Sequence, residues 1–165
     1  MRNNRKINWL TPFVCNLLVV LGATVALTAA LYMQHVKGLQ PCTMCIIQRY
    51  AFLVVGLAAI LALVVPFRAI RWFSVPIGLL GAVVGIIAAI RNLWVLSHPE
   101  ILCGRDPIEL FLNGLPTAHW FPKVFVALGL CSDPIPPLLG LPLPVWSLIG
   151  LALLATLLLW SLRRR

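Results

Sequence analysis

Four uncharged apolar runs dominate this chain: Pro12 to Met33, Tyr50 to Phe67, Trp72 to Ile90 and Val145 to Leu162. Each reaches or approaches the roughly 20 residues that a helix needs to cross the hydrocarbon of a bilayer. The chain has 165 residues, of which 61% are hydrophobic and 10% charged, and its mean hydropathy is +1.00. In water, a core of this apolarity would have to be wrapped in far more chain than remains, since charged residues supply about a quarter of a typical soluble domain. The same runs argue against a transmembrane barrel, whose strands alternate and are about half as long. The expected fold is therefore an all-α membrane protein, a bundle of four transmembrane helices in a single domain over 1–165. Its spans are placed at about 12–33, 45–66, 71–91 and 144–162. The first run follows Arg2, Arg5 and Lys6, but it is longer than the apolar region of a signal peptide and no clear small-x-small site precedes the next segment, so it is read as retained.

The net charge of +9 is distributed in a pattern that does not suit a nucleic-acid-binding face. Arg2, Arg5, Lys6, Arg68, Arg71, Arg163, Arg164 and Arg165 lie at the N-terminus, the middle hairpin and the C-terminus, which share one side of a four-span chain. The positive-inside rule assigns that side to the cytoplasm. The opposite segments, about 34–44 and 92–143, hold Lys37, Arg105 and Lys123 with all four acidic residues, Glu100, Asp106, Glu109 and Asp133. Arg49 and Arg91 are left for the interface. Cys42, Cys45, Cys103 and Cys131 fall on the outer side, where disulfides persist. Cys15 falls near the cytoplasmic end of the first span and reads as a structural, buried thiol.

In the outer segments, Pro41 leads directly into Cys42-Thr43-Met44-Cys45, and a helix is expected to begin around Cys42. Nine prolines between Asn92 and Pro144 make a long regular element there improbable. Asp106-Pro107 before Ile108 to Leu112 has the form of a short helix start. His119 to Leu130 mixes Trp120, Phe121, Val124, Phe125, Val126 and Leu128 with Lys123, which suits a lid lying on the membrane surface beside the thiol pair. In the third span, Gly78, Gly81, Ala82, Gly85 and Ala89 recur at helical spacings, as close packing of helices in lipid requires. Trp9, Trp72, Trp94 and Trp146 suit interfacial anchors.

Cys42 and Cys45 enclose two residues, a spacing that allows an exchangeable disulfide and lets one thiol be more acidic than the other. From the residues alone, three uses stay open: redox exchange, a structural disulfide, and a metal site completed by Cys103, Cys131 or His98. A CxxC at a helix start outside the cytoplasm favours redox exchange. The four outer cysteines permit three pairings, and proximity in sequence favours Cys42 with Cys45 and Cys103 with Cys131. The second pair could equally be a staple, worth about 3 to 4 kcal/mol by loop entropy. Arg49, placed inside the hydrocarbon edge, calls for a compensating partner such as a thiolate or a quinone oxygen acquiring charge, or else snorkels to the headgroups. Arg91 reads chiefly as an anchor closing the third span. His98, just beyond it, is a candidate to protonate or contact a reduced quinone.

The run Gly38-Leu39-Gln40-Pro41-Cys42-Thr43-Met44-Cys45-Ile46-Ile47-Gln48-Arg49, with Cys103-Gly104, Lys123-Val124-Phe125, Gly129-Leu130-Cys131 and Leu139-Gly140-Leu141-Pro142-Leu143-Pro144-Val145-Trp146, resembles the bacterial disulfide bond formation protein B (DsbB) family over nearly the whole chain. That resemblance implies a quinone-linked thiol oxidoreductase of the inner membrane with its active site on the periplasmic face. It further implies ubiquinone or menaquinone near the first cysteine pair, bound non-covalently or as a transient thiolate adduct, and a soluble periplasmic thiol oxidase of the DsbA type as electron donor. Carried onto this chain, the carrier's thiolate attacks Cys103 and releases Cys131, and Cys131 exchanges with Cys42. Cys45 is then left as the thiolate that reduces quinone beside Arg49. His98 and Arg91 stand as further cofactor contacts. Two rivals are an enzyme like vitamin K epoxide reductase, whose quinone-facing CxxC lies late in its bundle, and a non-catalytic membrane adaptor stapled by disulfides.

Overall fold

The computed structural model describes residues 3–65, 68–98, 107–129 and 137–163. Among these, the chain forms seven helices: α1 (Asn3–His35), α2 (Thr43–Val64), α3 (Arg68–Ser97), α4 (Pro107–Asn113), α5 (Pro116–Trp120), α6 (Pro122–Phe125) and α7 (Leu143–Arg163). Four of them contain stretches long and apolar enough to cross a membrane, Pro12–His35, Thr43–Val64, Trp72–Ser97 and Leu143–Leu162. The four-helix membrane bundle expected from the apolar runs is thus the architecture found.

Proline marks the ends of these elements. Pro41 precedes Cys42, which adopts an extended backbone (φ −82°, ψ 169°) and serves as the N-cap of α2. At the other end Val65 is extended (φ −94°, ψ 116°) because the following Pro66 disfavours the helical conformation. Helix α3 continues to Ser97, beyond the expected end of its span at 91, because nothing in Asn92 to Ser97 breaks it and the next proline is Pro99. This extension brings Asn92 and Val95 into the bundle.

The helices form a ring in which α2 lies against α3 and α1, and α7 closes the circuit against α3 and α1. Val19, Val55, Ala59, Ala82, Leu151 and Leu158 are fully enclosed at its centre. The small-residue stripe on α3 explains how closely α2 and α3 approach: a Cβ on Gly85 would stand 2.4 Å from the Ala51 Cβ, and one on Gly78 would stand 2.8 Å from the Ala58 Cβ. Such contact supplies dispersion energy where lipid removes the hydrophobic drive for helices to associate. Leu57, Leu80 and Ile87 face outward, as residues against lipid do. Thr24 and Thr28 return their hydroxyls to the Val20 and Thr24 carbonyls of their own helix, each at 2.8 Å, so that α1 exposes no unsatisfied hydroxyl there. Deeper in the bundle Ser161 of α7 donates to Asn16 Oδ1 of α1 at 3.3 Å, next to the buried Cys15.

Among the described residues, the segment between α3 and α7 contains no long element, in keeping with its prolines. Its helices α4, α5 and α6 each begin at a proline, where the missing N–H costs nothing. Asp106, the cap expected for α4, lies outside the described residues, as do Cys103 and Cys131.

Candidate active site

The site is built on the first two turns of α2. Cys42 caps the helix and Cys45 occupies its third position, so both sulfurs sit where unpaired helix N–H groups favour negative charge. The two Sγ atoms are 3.0 Å apart, with Cys42 as donor to Cys45. That is a contact between thiols and longer than the roughly 2.05 Å of a disulfide bond. Cys42 is buried and Cys45 half-buried, in a pocket of packing formed with Met44 and with Ala88 and Val95 of α3. Among the described residues, no three His, Cys, Asp or Glu side chains gather here.

Cys45, Gln48, Arg49 and Phe52 follow one another at i, i+3, i+4 and i+7 and therefore share a sector of α2. Arg49 is only 6% exposed. Its Nη1 donates to Gln34 Oε1 of α1 at 2.7 Å and to the Val124 carbonyl of α6 at 2.6 Å, while Nη2 donates to the Ala30 carbonyl at 3.4 Å. Gln34 in turn donates from Nε2 to the Lys123 carbonyl at 2.9 Å. Among the described residues the cation is thereby held by an amide oxygen and two main-chain carbonyls, with no carboxylate. Its Nε–H and the second Nη2–H stay outside these bonds. On α2's side toward α7, Gln48 Oε1 accepts from the Ser147 hydroxyl at 2.5 Å, and the buried Gln48 Nε2 has no partner among the described residues.

The outer segment is fastened to this end of α2 by side chain and backbone alike. Tyr50 stacks on Phe125 with ring centroids 4.8 Å apart and shares a hydrogen bond with Thr117 of α5. Asn113 donates from Nδ2 to the Ala127 carbonyl at 3.2 Å and accepts at Oδ1 from the Ala127 N–H at 2.9 Å. Beyond α6 the chain runs extended beside Pro41 and Cys42, forming a parallel bridge between Cys42 and Gly129. The Leu128 and Gly129 N–H groups both reach the Pro41 carbonyl at 3.1 Å. Gly129 is required for this approach, since a Cβ there would lie 2.5 Å from the Gln40 carbonyl oxygen. The stretch expected to form a lid thus includes α6, the end of α5 and an isolated bridge to Cys42, and it leaves Trp120, Phe121 and Leu128 exposed.

The structure brings Cys42, Cys45 and Arg49 together. On α3 the residues that meet the thiols are Ala88, Asn92 and Val95. Arg91 is exposed on that helix, and His98 is occupied within its own turn, its Nδ1 at 3.0 Å from both the Trp94 carbonyl and the Ser97 hydroxyl and its ring tilted on Trp94. Sequence reasoning missed Gln34, Gln48 and Asn92. The available signal was their position: three carboxamides at the ends of apolar runs, where an uncompensated polar group is costly.

The family model described as "Disulfide bond formation protein DsbB" matches residues 13–161. The chain belongs to the DsbB family. It is 44% identical over 136 residues to the disulfide bond formation protein B of Ralstonia nicotianae, covering 82% of this chain and 84% of that protein. To the Cupriavidus necator protein of the same name it is 42% identical over 149 residues, covering 90% and 91%. To that of Burkholderia ambifaria it is 36% identical over 168 residues, covering 100% and 94%. Membership in the DsbB family makes this chain a multi-pass inner-membrane oxidoreductase that reoxidises a periplasmic thiol oxidase of the DsbA type at the expense of membrane quinone.

Proposed function

We propose that Cys42 and Cys45 are the pair that reduces quinone, that Cys103 and Cys131 are the pair that accepts electrons from the carrier, and that Arg49 is the cation between sulfur and quinone. The observation that carries this reading is the thiol contact at the N-terminus of α2, one turn above a buried arginine. The donors fit a quinone. Its ring oxygens accept hydrogen bonds, and this corner offers the two uncommitted N–H groups of Arg49 and the orphaned Nε2 of Gln48 with no competing carboxylate among the described residues. Arg49 and Gln48 would hold the ring beside Cys45. Arg91 and His98 complete the proposed contacts from α3, Arg91 from its exposed face and His98 through Nε2, which its helix bonds leave aside.

Electrons then move by thiol–disulfide exchange. A thiolate of the carrier attacks Cys103, breaking the Cys103–Cys131 bond and releasing the Cys131 thiolate, and the carrier's second thiolate frees Cys103 and leaves the carrier oxidised. Cys131 attacks Cys42 of the oxidised first pair and releases Cys45 as thiolate. Cys103 resolves the Cys42–Cys131 bond, so the second pair is restored and both electrons reside on Cys42 and Cys45. Quinone held by Arg49 and Gln48 would supply the terminal two-electron, two-proton acceptor, and Cys42 and Cys45 would return to their disulfide as they give up those electrons. The bridge at Gly129 supports this order, since Cys131 follows two residues later and two residues of chain span at most about 7 Å. The Cys45 thiolate meanwhile lies under the helix N–H groups and within Coulombic reach of Arg49.

Quinone-dependent reoxidation of a reduced carrier by the purified protein tests the reading. Cys42→Ser and Cys45→Ser should abolish turnover with either carrier or dithiothreitol as donor. Cys103→Ser should abolish it with carrier alone. Carrier-driven turnover at the parent rate in Cys103→Ser would contradict the division of roles.

A further inference from the structure

Asn92 stands where α3 meets the thiol pair. It is 3% exposed, between Ala88 and Val95, which pack on Cys42 and Met44. Its Nδ2 lies 3.7 Å from the Cys45 sulfur and 3.9 Å from that of Cys42. An aliphatic residue would continue the apolar face of Ala88 and Val95, and a buried carboxamide is costly unless its N–H groups are used. A neutral thiol repays that cost poorly, being a weak acceptor. An ionised sulfur repays it well, because hydrogen bonds to charged partners are roughly twice as strong as neutral ones. In the dithiol two donors converge on Cys45 in particular, the Cys42 thiol at 3.0 Å and the Asn92 amide, and of these only the amide keeps its proton while Cys42 is in a mixed disulfide.

We infer that Asn92 is a further catalytic residue, whose Nδ2–H donates to the Cys45 thiolate formed when Cys42 is attacked. The inference rests on the assignment of Cys42 and Cys45 as the quinone-reducing pair. It divides the stabilisation of that thiolate between two helices. Arg49, one turn along α2, contributes net charge, and Asn92, from α3, contributes a neutral donor with a fixed direction. A neutral donor favours the thiolate without trapping it as a permanent ion pair, which suits a sulfur that must give up its electrons in the next step.

The test uses the full-length protein with Cys15, Cys103 and Cys131 replaced by alanine, so that alkylation reports on Cys42 and Cys45. The rate of reaction with iodoacetamide is followed against pH, and dithiothreitol-driven quinone reduction is measured in parallel. Asn92→Asp keeps the shape and removes the donor, Asn92→Ala removes the amide, and Asn92→His restores a ring N–H at similar reach. Loss of the donor should move the alkylation inflection up by about one pH unit in Asn92→Ala, equivalent to tenfold in thiolate population, and further in Asn92→Asp. Quinone reduction should fall about tenfold in both, and Asn92→His should stay within about threefold of the parent. Equal alkylation plateaus at high pH will confirm that the sulfurs remain equally accessible, and reading three variants keeps the outcome decisive if one fails to fold. An unchanged inflection in Asn92→Ala and Asn92→Asp, or a loss shared equally by Asn92→His, overturns the inference. Cys45→Ala reducing quinone at the parent rate would instead overturn the site assignment itself.

Discussion

Arg49 is at once the proposed electrostatic partner of quinone and the knot that ties α1, α2 and α6 together, through Gln34, Ala30 and Val124. Its replacement should therefore have two separable effects. Arg49→Gln removes charge-assisted donors worth about 1.5 to 3 kcal/mol each, so quinone-dependent turnover should drop about 10- to 100-fold, while small disulfides still oxidise Cys42 and Cys45. Stopped-flow quinone reduction and a separate cystine oxidation assay will read the two. Arg49→Lys should recover only part of the rate, because an ammonium cannot reproduce the fork that reaches Gln34 and Val124 together. Gln34→Leu tests the knot alone: with its two bonds gone, amide exchange across 123–126 should quicken by about tenfold, on the order of 1 to 1.5 kcal/mol, with the thiols unaltered. Arg49 was legible in sequence because a charge in an apolar run has few explanations. Gln34, Gln48 and Asn92 were not, because a neutral amide near a span end reads equally well as a loop residue until its partner is known.

Among the elements, the four spans were legible from the apolar runs alone, since lipid admits only helices and closed barrels and these runs are too long and too uniform for barrel strands. Their ends were less so. Helix α3 outlasts its apolar run because no breaker comes before Pro99, and the extension places Val95 against Cys42 and Met44, a contact that the sequence does not mark. The small-residue stripe was legible as a packing surface, and the structure identifies its partner as α2. Gly85→Val should destabilise the bundle by about 1 to 3 kcal/mol through overpacking, because a Cβ there already meets Ala51 at 2.4 Å and Leu151 at 2.7 Å. Unfolding from mixed micelles by SDS will measure it. In the outer segment, prolines announced short elements, but the seating of 128–129 on Pro41 depends on main-chain bonds that carry no sequence mark apart from Gly129. Gly129→Val should leave dithiothreitol-driven quinone reduction within about twofold of the parent, and carrier-driven turnover should fall at least about tenfold as the second pair loses its tether.

At the scale of the whole molecule, the charge distribution and the position of the thiols make a single statement about orientation. The sequence assigns eight basic residues to the N-terminus, the middle hairpin and the C-terminus, the segments that the positive-inside rule sets opposite Cys42 and Cys45. A membrane-impermeant maleimide added to intact spheroplasts should label Cys45, the half-buried sulfur of the reduced pair, whereas the buried Cys15, near the opposite end of the first span, should react only after denaturation. The pattern of charge made this orientation readable from sequence, whereas the way the outer segment closes over α2 emerged only from the folded chain. That closure has a practical consequence. The two amides that join 128–129 to Pro41 form a splice that uses no side chain, so the stretch from 107 to 125 can behave as a cassette provided that Asn113, Thr117 and Phe125 keep their contacts with Ala127 and Tyr50. Exchanged with that of a relative, it would change the surface offered to a soluble donor while the internal wiring from one sulfur pair to the next stayed in register.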